Sequence, residues 1–263
     1  MAMSVTIGFI GFGNMAQAMA KGLLAVDAIK PENVFASAKH YDTLSSNASA
    51  LGINACESND EVIAKSDIIV PAIIPSIAED VLAPYRGGAL KEKTVVSIIS
   101  GFDYDRLESV IGEGSHHIST IPNTPISVGE GILVCESRHS LTDAELAVFT
   151  AVFGKAALIE FVDAAQFSIA GTISGCTPAF TAVYLEALAD AGVKHGLTRT
   201  SAYRLAAKML VGTGKLYLDN NMHPGCLKDS VCSPGGTTIR GIASLEKNAF
   251  RGAVIDAIDA IEG

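Results

Sequence analysis

The run from Asp229 to Ile239, DSVCSPGGTTI, sets Gly235 and Gly236 among the hydroxyls of Ser233, Thr237 and Thr238, just ahead of a helical pattern carried by Ile239, Ile242 and Leu245. Consecutive backbone N–H groups bared by two glycines at a helix start form a concavity suited to an anion, and a carboxylate fits it. The hydroxyls add neutral donors and acceptors. The same run is also what a capped helix start looks like, and spacing alone does not choose between the two. A second anion cradle is written near the front of the chain. Gly11-Phe12-Gly13-Asn14-Met15-Ala16 is a G-x-G-x-x-A that follows a strand-like run and opens a helical one. The first glycine permits a tight turn, the second lets a pyrophosphate approach the backbone, and Ala16 lets the helix pack close to a sheet. The N–H groups at the helix start then hold the phosphate.

The end of the second strand selects the dinucleotide. NAD sites commonly carry Asp or Glu about 20 residues past the glycines. Here the region reads Phe35-Ala36-Ser37-Ala38-Lys39-His40, with hydroxyl and cation but no acid. That suits a 2′-phosphate, so NADPH is the expected cofactor and NADH the alternative. Read blandly, Ser37, Lys39 and His40 are solvated loop residues. Ile121-Pro122-Asn123-Thr124-Pro125 is a rigid turn after a strand, of a kind that lines a cofactor cleft at the C-terminal edge of a parallel sheet; read alone it is only a turn. No metal site is expected, because His116 and His117 are adjacent on a strand and point to opposite faces.

The elements that must position these groups follow from periodicity. Strand-like runs cover 5–10, 34–37, 53–56, 67–70, 94–100, 116–120, 131–136 and 157–162, with helical stretches between most of them. β-branched runs alternating with helices indicate a parallel sheet covered on both faces, the doubly wound Rossmann type. After Asp163 strand signals stop, and helical patterns occupy roughly 164–194, 198–219, 238–248 and 250–262. The expected fold is therefore an α/β domain over 1–162 and an all-α domain over 163–263.

Composition excludes several classes. A chain of 263 residues with 49% apolar content buries a sizeable core, and disorder is not expected. A formal charge of −9 with no basic block argues against nucleic acid or an anionic membrane as partner. The uncharged stretch from Ala164 to Leu185 contains Gln166, Ser168, Thr172, Ser174, Thr177 and Pro178, so a helix enclosed by protein is expected there rather than a membrane span. Five cysteines, an odd number with no C-x-x-C, fit a reduced cytoplasmic setting, and no targeting segment is read at the front.

Three stretches resemble one enzyme family. IGFIGFGNMAQAM, the PNTP turn, and the region from Glu186 onward are similar to pyrroline-5-carboxylate reductases; that last region includes EALADAGVKHGL, HPGCLKDSVCSPGGTTIRGIASLE and FRGAVIDAIDA. The resemblance implies a Rossmann domain followed by a helical dimerisation and substrate-binding domain, with an active site between them completed by a partner subunit. It implies hydride transfer from NADPH to the C=N carbon of a small imino acid, giving L-proline. The backbone of Gly235, Gly236 and Thr237 would bind the substrate carboxylate, Thr238 would place its hydroxyl at the ring nitrogen, and Ser233 would support the loop. Gly11, Phe12, Gly13, Asn14, Met15, Ser37, Lys39, Pro75 and Asn123 would line the cofactor. A homodimer, or a ring built from such dimers, is implied.

Three departures from the family pattern stand out. Val-Lys-Pro after the fourth strand is here Ile73-Ile74-Pro75. The basic residue before PNTP is absent, with Ser119, Thr120 and Ile121 in its place. The family's TALSGSGPAY reads Gly171-Thr172-Ile173-Ser174-Gly175-Cys176-Thr177-Pro178-Ala179-Phe180. These leave open a divergent relative acting on another cyclic imine, and a nucleotide-binding homologue without catalysis. A hydroxyacid dehydrogenase of the six-phosphogluconate type would need a helical lysine for acid–base chemistry; Lys208 and Lys215 lack the surrounding pattern.

Overall fold

A computed structural model describes residues 5–263, and the chain divides into two compact units, one running to Gly175 and one from Cys176. The first unit contains β1 Ile7–Ile10, α1 Asn14–Ala25, β2 Val34–Ser37, α2 Tyr41–Leu51, β3 Asn54–Ala55, α3 Asn59–Lys65, β4 Ile68–Pro71 and α4 Pro75–Leu82. It continues with β5 Thr94–Ser97, α5 Tyr104–Ile111, β6 His116–Pro122, β7 Gly131–Glu136, α6 Asp143–Phe153, β8 Ala157–Val162 and α7 Ala164–Gly171. The strands form one sheet in the order β3-β2-β1-β4-β5-β6-β7-β8.

Strand alternation explains why this sheet is covered twice. Ile7, Phe9, Ile68 and Val70 face one side, with Met19 and Leu23 of α1, Leu44 of α2, and Phe149 and Phe153 of α6 packed on it. Ile10, Ile69 and Val95 face the other, under Val62 of α3, Leu82 of α4 and Leu107 of α5. Successive strand residues point to opposite faces, so near-continuous apolar runs are what a two-sided parallel sheet needs. Each such side chain contributes about 1.5–3 kcal/mol when fully buried.

Pairing is parallel except between β6 and β7, where Thr120 faces Cys135 and Pro122 faces Leu133 in antiparallel register. β6 runs to Pro122 because this pairing extends it past the expected end at 120. β5 stops at Ser97, short of the expected 100, because the Ser97 hydroxyl accepts the Ile99 N–H at 3.3 Å and the chain leaves the ladder.

The single helix expected over 164–194 is broken. Between α7 and α8 (Thr177–Lys194) lies a π-helical turn over Thr172–Cys176. Pro178 has no N–H for the carbonyl four residues earlier, Ser174, so regular α-helical bonding fails there. β8 ends at Val162, where the sequence reading placed the domain boundary, but α7 packs on β7 and β8, so the first compact unit continues to Gly175.

The second unit holds α8, α9 Arg199–Asn220, α10 Pro224–Ser230, α11 Thr237–Lys247 and α12 Phe250–Glu262. α8 and α9 form a helical hairpin, closely packed where Gly192 meets Ala202, and Thr198 caps α9 by accepting the Ser201 N–H at 3.2 Å. Among the described residues, no helix is long and apolar enough to cross a membrane.

Candidate active site

β1 delivers the chain to Gly11, whose φ of +88° and whose approach to the Ala72 carbonyl leave no room for a side chain: a Cβ would sit 2.6 Å from that oxygen. Its N–H donates to the Ser37 carbonyl at 2.9 Å, which ties the turn to the end of β2. Phe12 turns inward and packs edge-on against Phe9, with ring centroids 5.8 Å apart, and its carbonyl accepts from Gln17 Nε2 at 3.0 Å. Gly13 is the N-cap of α1, exposed, with no side chain capping the helix and no heavy atom within 4 Å of where a Cβ would stand. Asn14 is exposed and Met15 half-buried beside it, while Ala16 is buried against the sheet. An uncapped helix start with open space at its second glycine fits a pyrophosphate.

The end of β2 differs from the expectation in one respect. Ser37 is only 3% exposed, and its hydroxyl donates to Asn59 Oδ1 at 2.6 Å, so it is already partnered within the protein. Lys39 and His40 are exposed and remain the polar groups at this edge. Asn59, the first residue of α3, was missed by sequence reasoning. Its signal was faint: Ser58 caps α3 through the Glu61 N–H at 3.2 Å, which fixes Asn59 at a helix start facing β2. Pro75 opens α4 just beyond the C-terminal end of β4, exposed and next to exposed Ile74.

Asn123 also departs from its expected part. It is 4% exposed, and both ends of its amide are committed. Oδ1 accepts the Ile132 N–H at 2.8 Å, and Nδ2 donates to the Ser174 carbonyl at 3.0 Å. The side chain therefore builds the turn instead of reaching a cofactor. The 3-10 segment that follows, Thr124–Val128, rests on α1 where Gly22 admits the Ile126 carbonyl.

The second cradle lies wholly in the second unit. Ser233-Pro234-Gly235-Gly236 is a turn closed by the Gly236 N–H donating to the Ser233 carbonyl at 3.0 Å. Pro at the second position and Gly235 at the third, with φ +67°, are the type II requirement. Gly236 then caps α11 with no side-chain capping bond. The expected nest is corrected in one respect: the Gly236 N–H is used within the turn, so donors for an anion come from the first helical residues, Thr237 and Thr238, whose N–H groups have no partner within the helix. Thr237, Thr238, Ser233 and Gly235 are exposed. A Cβ on Gly236 would strike Ser233 Oγ, so Ser233 and Gly236 hold each other in place.

Several titratable groups of the first unit are displaced from their ordinary values. Burial pushes the Glu136 carboxyl up and the His117 imidazole down. Glu136 accepts the Tyr104 N–H at 2.6 Å, and Tyr104 stacks on His117 at 4.4 Å. His116, on the opposite face, bonds Glu145 at 2.7 Å. Among the described residues, no three His, Cys, Asp or Glu side chains converge as metal ligands.

Comparisons with known proteins bear on both cradles. Residues 164–262 match the family model described as pyrroline-5-carboxylate reductase dimerisation, and residues 6–101 match one described as NADP oxidoreductase, coenzyme F420-dependent. The chain is 42% identical to the pyrroline-5-carboxylate reductase of Treponema pallidum over 97% of its length and 98% of the relative's. It is 36% identical to that of Escherichia coli K12 over 97% and 95% of the two chains. A crystal structure of Plasmodium falciparum pyrroline carboxylate reductase with NADP bound superposes with a TM-score of 0.85 at 33% identity, covering 97% of this chain and 95% of that one.

Proposed function

The chain belongs to the pyrroline-5-carboxylate reductase family, and we infer on that premise that it reduces 1-pyrroline-5-carboxylate to L-proline with NADPH, the last step of proline biosynthesis. The observation that carries the inference is a pair of helix starts without side-chain caps, Gly13 before α1 and Gly236 before α11. One suits a dinucleotide pyrophosphate and the other a small carboxylate.

When bound, NADPH supplies the hydride that the imine carbon accepts. The residues of the chain do the rest by placement. The Gly11–Gly13 turn and the start of α1 hold the pyrophosphate. The Thr237 and Thr238 backbone N–H groups that follow the Gly235-Gly236 turn hold the substrate carboxylate, and Ser233 keeps that turn in shape. Thr238 sets its hydroxyl at the ring nitrogen, where it donates to the lone pair that develops as the π electrons of the protonated imine move onto nitrogen, and the nitrogen keeps its own proton. No strong base is needed, and orientation of this kind supplies about 7–11 kcal/mol of a barrier. The test is consumption of NADPH with 1-pyrroline-5-carboxylate as the acceptor and proline as the product.

Selectivity for NADPH rests on Lys39 and His40, exposed at the end of β2, where residues 35–40 carry no acid. Lys39→Asp should weaken NADPH by about 10-fold, near 1.4 kcal/mol, and NADH by much less. Titration of both cofactors at fixed salt checks this, and equal losses would remove Lys39 from the 2′-phosphate site.

The assembly we propose is a homodimer, or a ring of dimers. The second unit leaves Val183, Leu205, Val211, Leu218, Val254 and Ile255 exposed, more apolar surface than a small helical unit carries in water. Light scattering at micromolar concentration should give at least a dimer, and a monomer would contradict it. The five cysteines are all unpaired, which supports the cytoplasm as the compartment.

A further inference from the structure

We propose that Asn123 is a positioning residue for the reduction, acting by locking the 172–176 π-turn to the cofactor edge of the sheet. The lock begins with a defect. Pro178 leaves the Ser174 carbonyl without its helical donor. A buried carbonyl left unpaired costs about 1–3 kcal/mol. Asn123 Nδ2 fills that role at 3.0 Å, while its Oδ1 takes the Ile132 N–H of β7 at 2.8 Å. One amide thus joins the end of β6, the start of β7 and the broken helix. An amide suits this, since it donates at one end and accepts at the other.

A second contact points the same way. A Cβ on Gly171 would stand 2.5 Å from Ile121 Cδ1, so the last residue of α7 is seated directly on β6, two residues before Asn123. The Ser174 hydroxyl closes the turn by donating to the Gly171 carbonyl at 3.3 Å. Both positions are among the departures from the family pattern, and the structure shows them in contact: the space left by Gly171 is the space Ile121 uses. Asn123 directly follows the C-terminal end of β6, and ligands of open α/β sheets bind outside those strand ends. The turn therefore borders the region where the reactants are placed, and Asn123, with both ends of its amide committed, acts through the turn.

The inference rests on the reductase reading, because what it explains is placement for hydride transfer. Asn123→Asp keeps the acceptor and removes the donor, setting a carboxylate against the Ser174 carbonyl. The variant should lose about 10- to 100-fold in kcat, the scale of a small misplacement. Its NADPH dissociation constant should stay within about twofold, because the Gly11–Gly13 turn and the start of α1 are left unchanged. The primary isotope effect with NADPH deuterated at the transferred position should rise, because the chemical step becomes slower; a smaller folded fraction alone would leave it unchanged. Wild-type kcat in folded Asn123→Asp overturns the proposal, as does a fall in kcat with an unchanged isotope effect. If the aspartate variant does not fold, Gly171→Ala carries the test. It should lower kcat in the same sense, and Ile121→Val added to it should restore the rate; no rescue counts against the lock. Should wild-type protein bind NADPH yet leave 1-pyrroline-5-carboxylate unreduced, the functional reading fails separately. Amide hydrogen exchange across 172–176 in the NADPH-free protein then decides: faster exchange in Asn123→Asp supports the lock, and unchanged exchange overturns it.

Discussion

Gly13→Val should cost NADPH affinity on the order of 100-fold, about 2.8 kcal/mol, and leave the fold standing. The structure separates these two effects. Gly13 has φ −78° and ψ −169°, extended backbone that any residue adopts, and nothing lies within 4 Å of a Cβ there. The protein alone therefore has room for the valine, and loss of a glycine N-cap costs about 1 kcal/mol at most. The pyrophosphate does not have that room, since the second glycine of the motif is where it meets the backbone. Gly11 is the contrast. Its φ of +88° and the Ala72 carbonyl 2.6 Å from a Cβ mean that a side chain there strikes the fold itself. Fluorescence titration with NADPH beside a thermal melt measures both quantities. Tight NADPH binding by Gly13→Val would show that this turn does not hold the dinucleotide.

Thr238→Ala should lower kcat and kcat/KM with 1-pyrroline-5-carboxylate while NADPH binds as before. The side chain is exposed at the second position of α11, so its loss opens no cavity, and alanine is the better helix former. The backbone N–H groups proposed for the carboxylate survive the substitution. What disappears is the hydroxyl at the ring nitrogen. A contact that strengthens as imine becomes amine acts on the transition state, so kcat falls along with kcat/KM. One such bond is worth roughly 1–3 kcal/mol, or about 5- to 150-fold. Thr238→Ser, which keeps the hydroxyl, should recover most of the rate. Steady-state kinetics of the two variants decide it: wild-type behaviour in the alanine variant would move the chemistry away from this loop.

What was legible in the sequence is what local spacing encodes. The glycines at 11 and 13 had to follow a strand and open a helix, and they do. The runs 34–37, 131–136 and 157–162 became β2, β7 and β8 with the expected bounds. Strand direction is not local, and the antiparallel pair β6–β7 was not foreseen. Its signal was the connection: eight residues separate Pro122 from Gly131, too few for the dozen or more that a parallel crossover takes. The π-turn hid inside an unbroken apolar pattern, although Pro178 within it marked a carbonyl that would need another donor. The Gly236 N–H was also readable as spent, because Pro234-Gly235 specifies the turn that uses it. The burial of Ser37 and the commitment of the Asn123 amide were not readable. Each depends on a partner far along the chain, Asn59 in one case and Ser174 in the other, that only packing brings near.

The most direct measurement is NADPH oxidation by the purified chain with 1-pyrroline-5-carboxylate, read together with proline formation. The account predicts that the two proceed one for one, and that NADH supports a slower reaction at equal concentration. NADPH that binds but is not consumed with this imine, or is consumed only with a different cyclic imine, would contradict it.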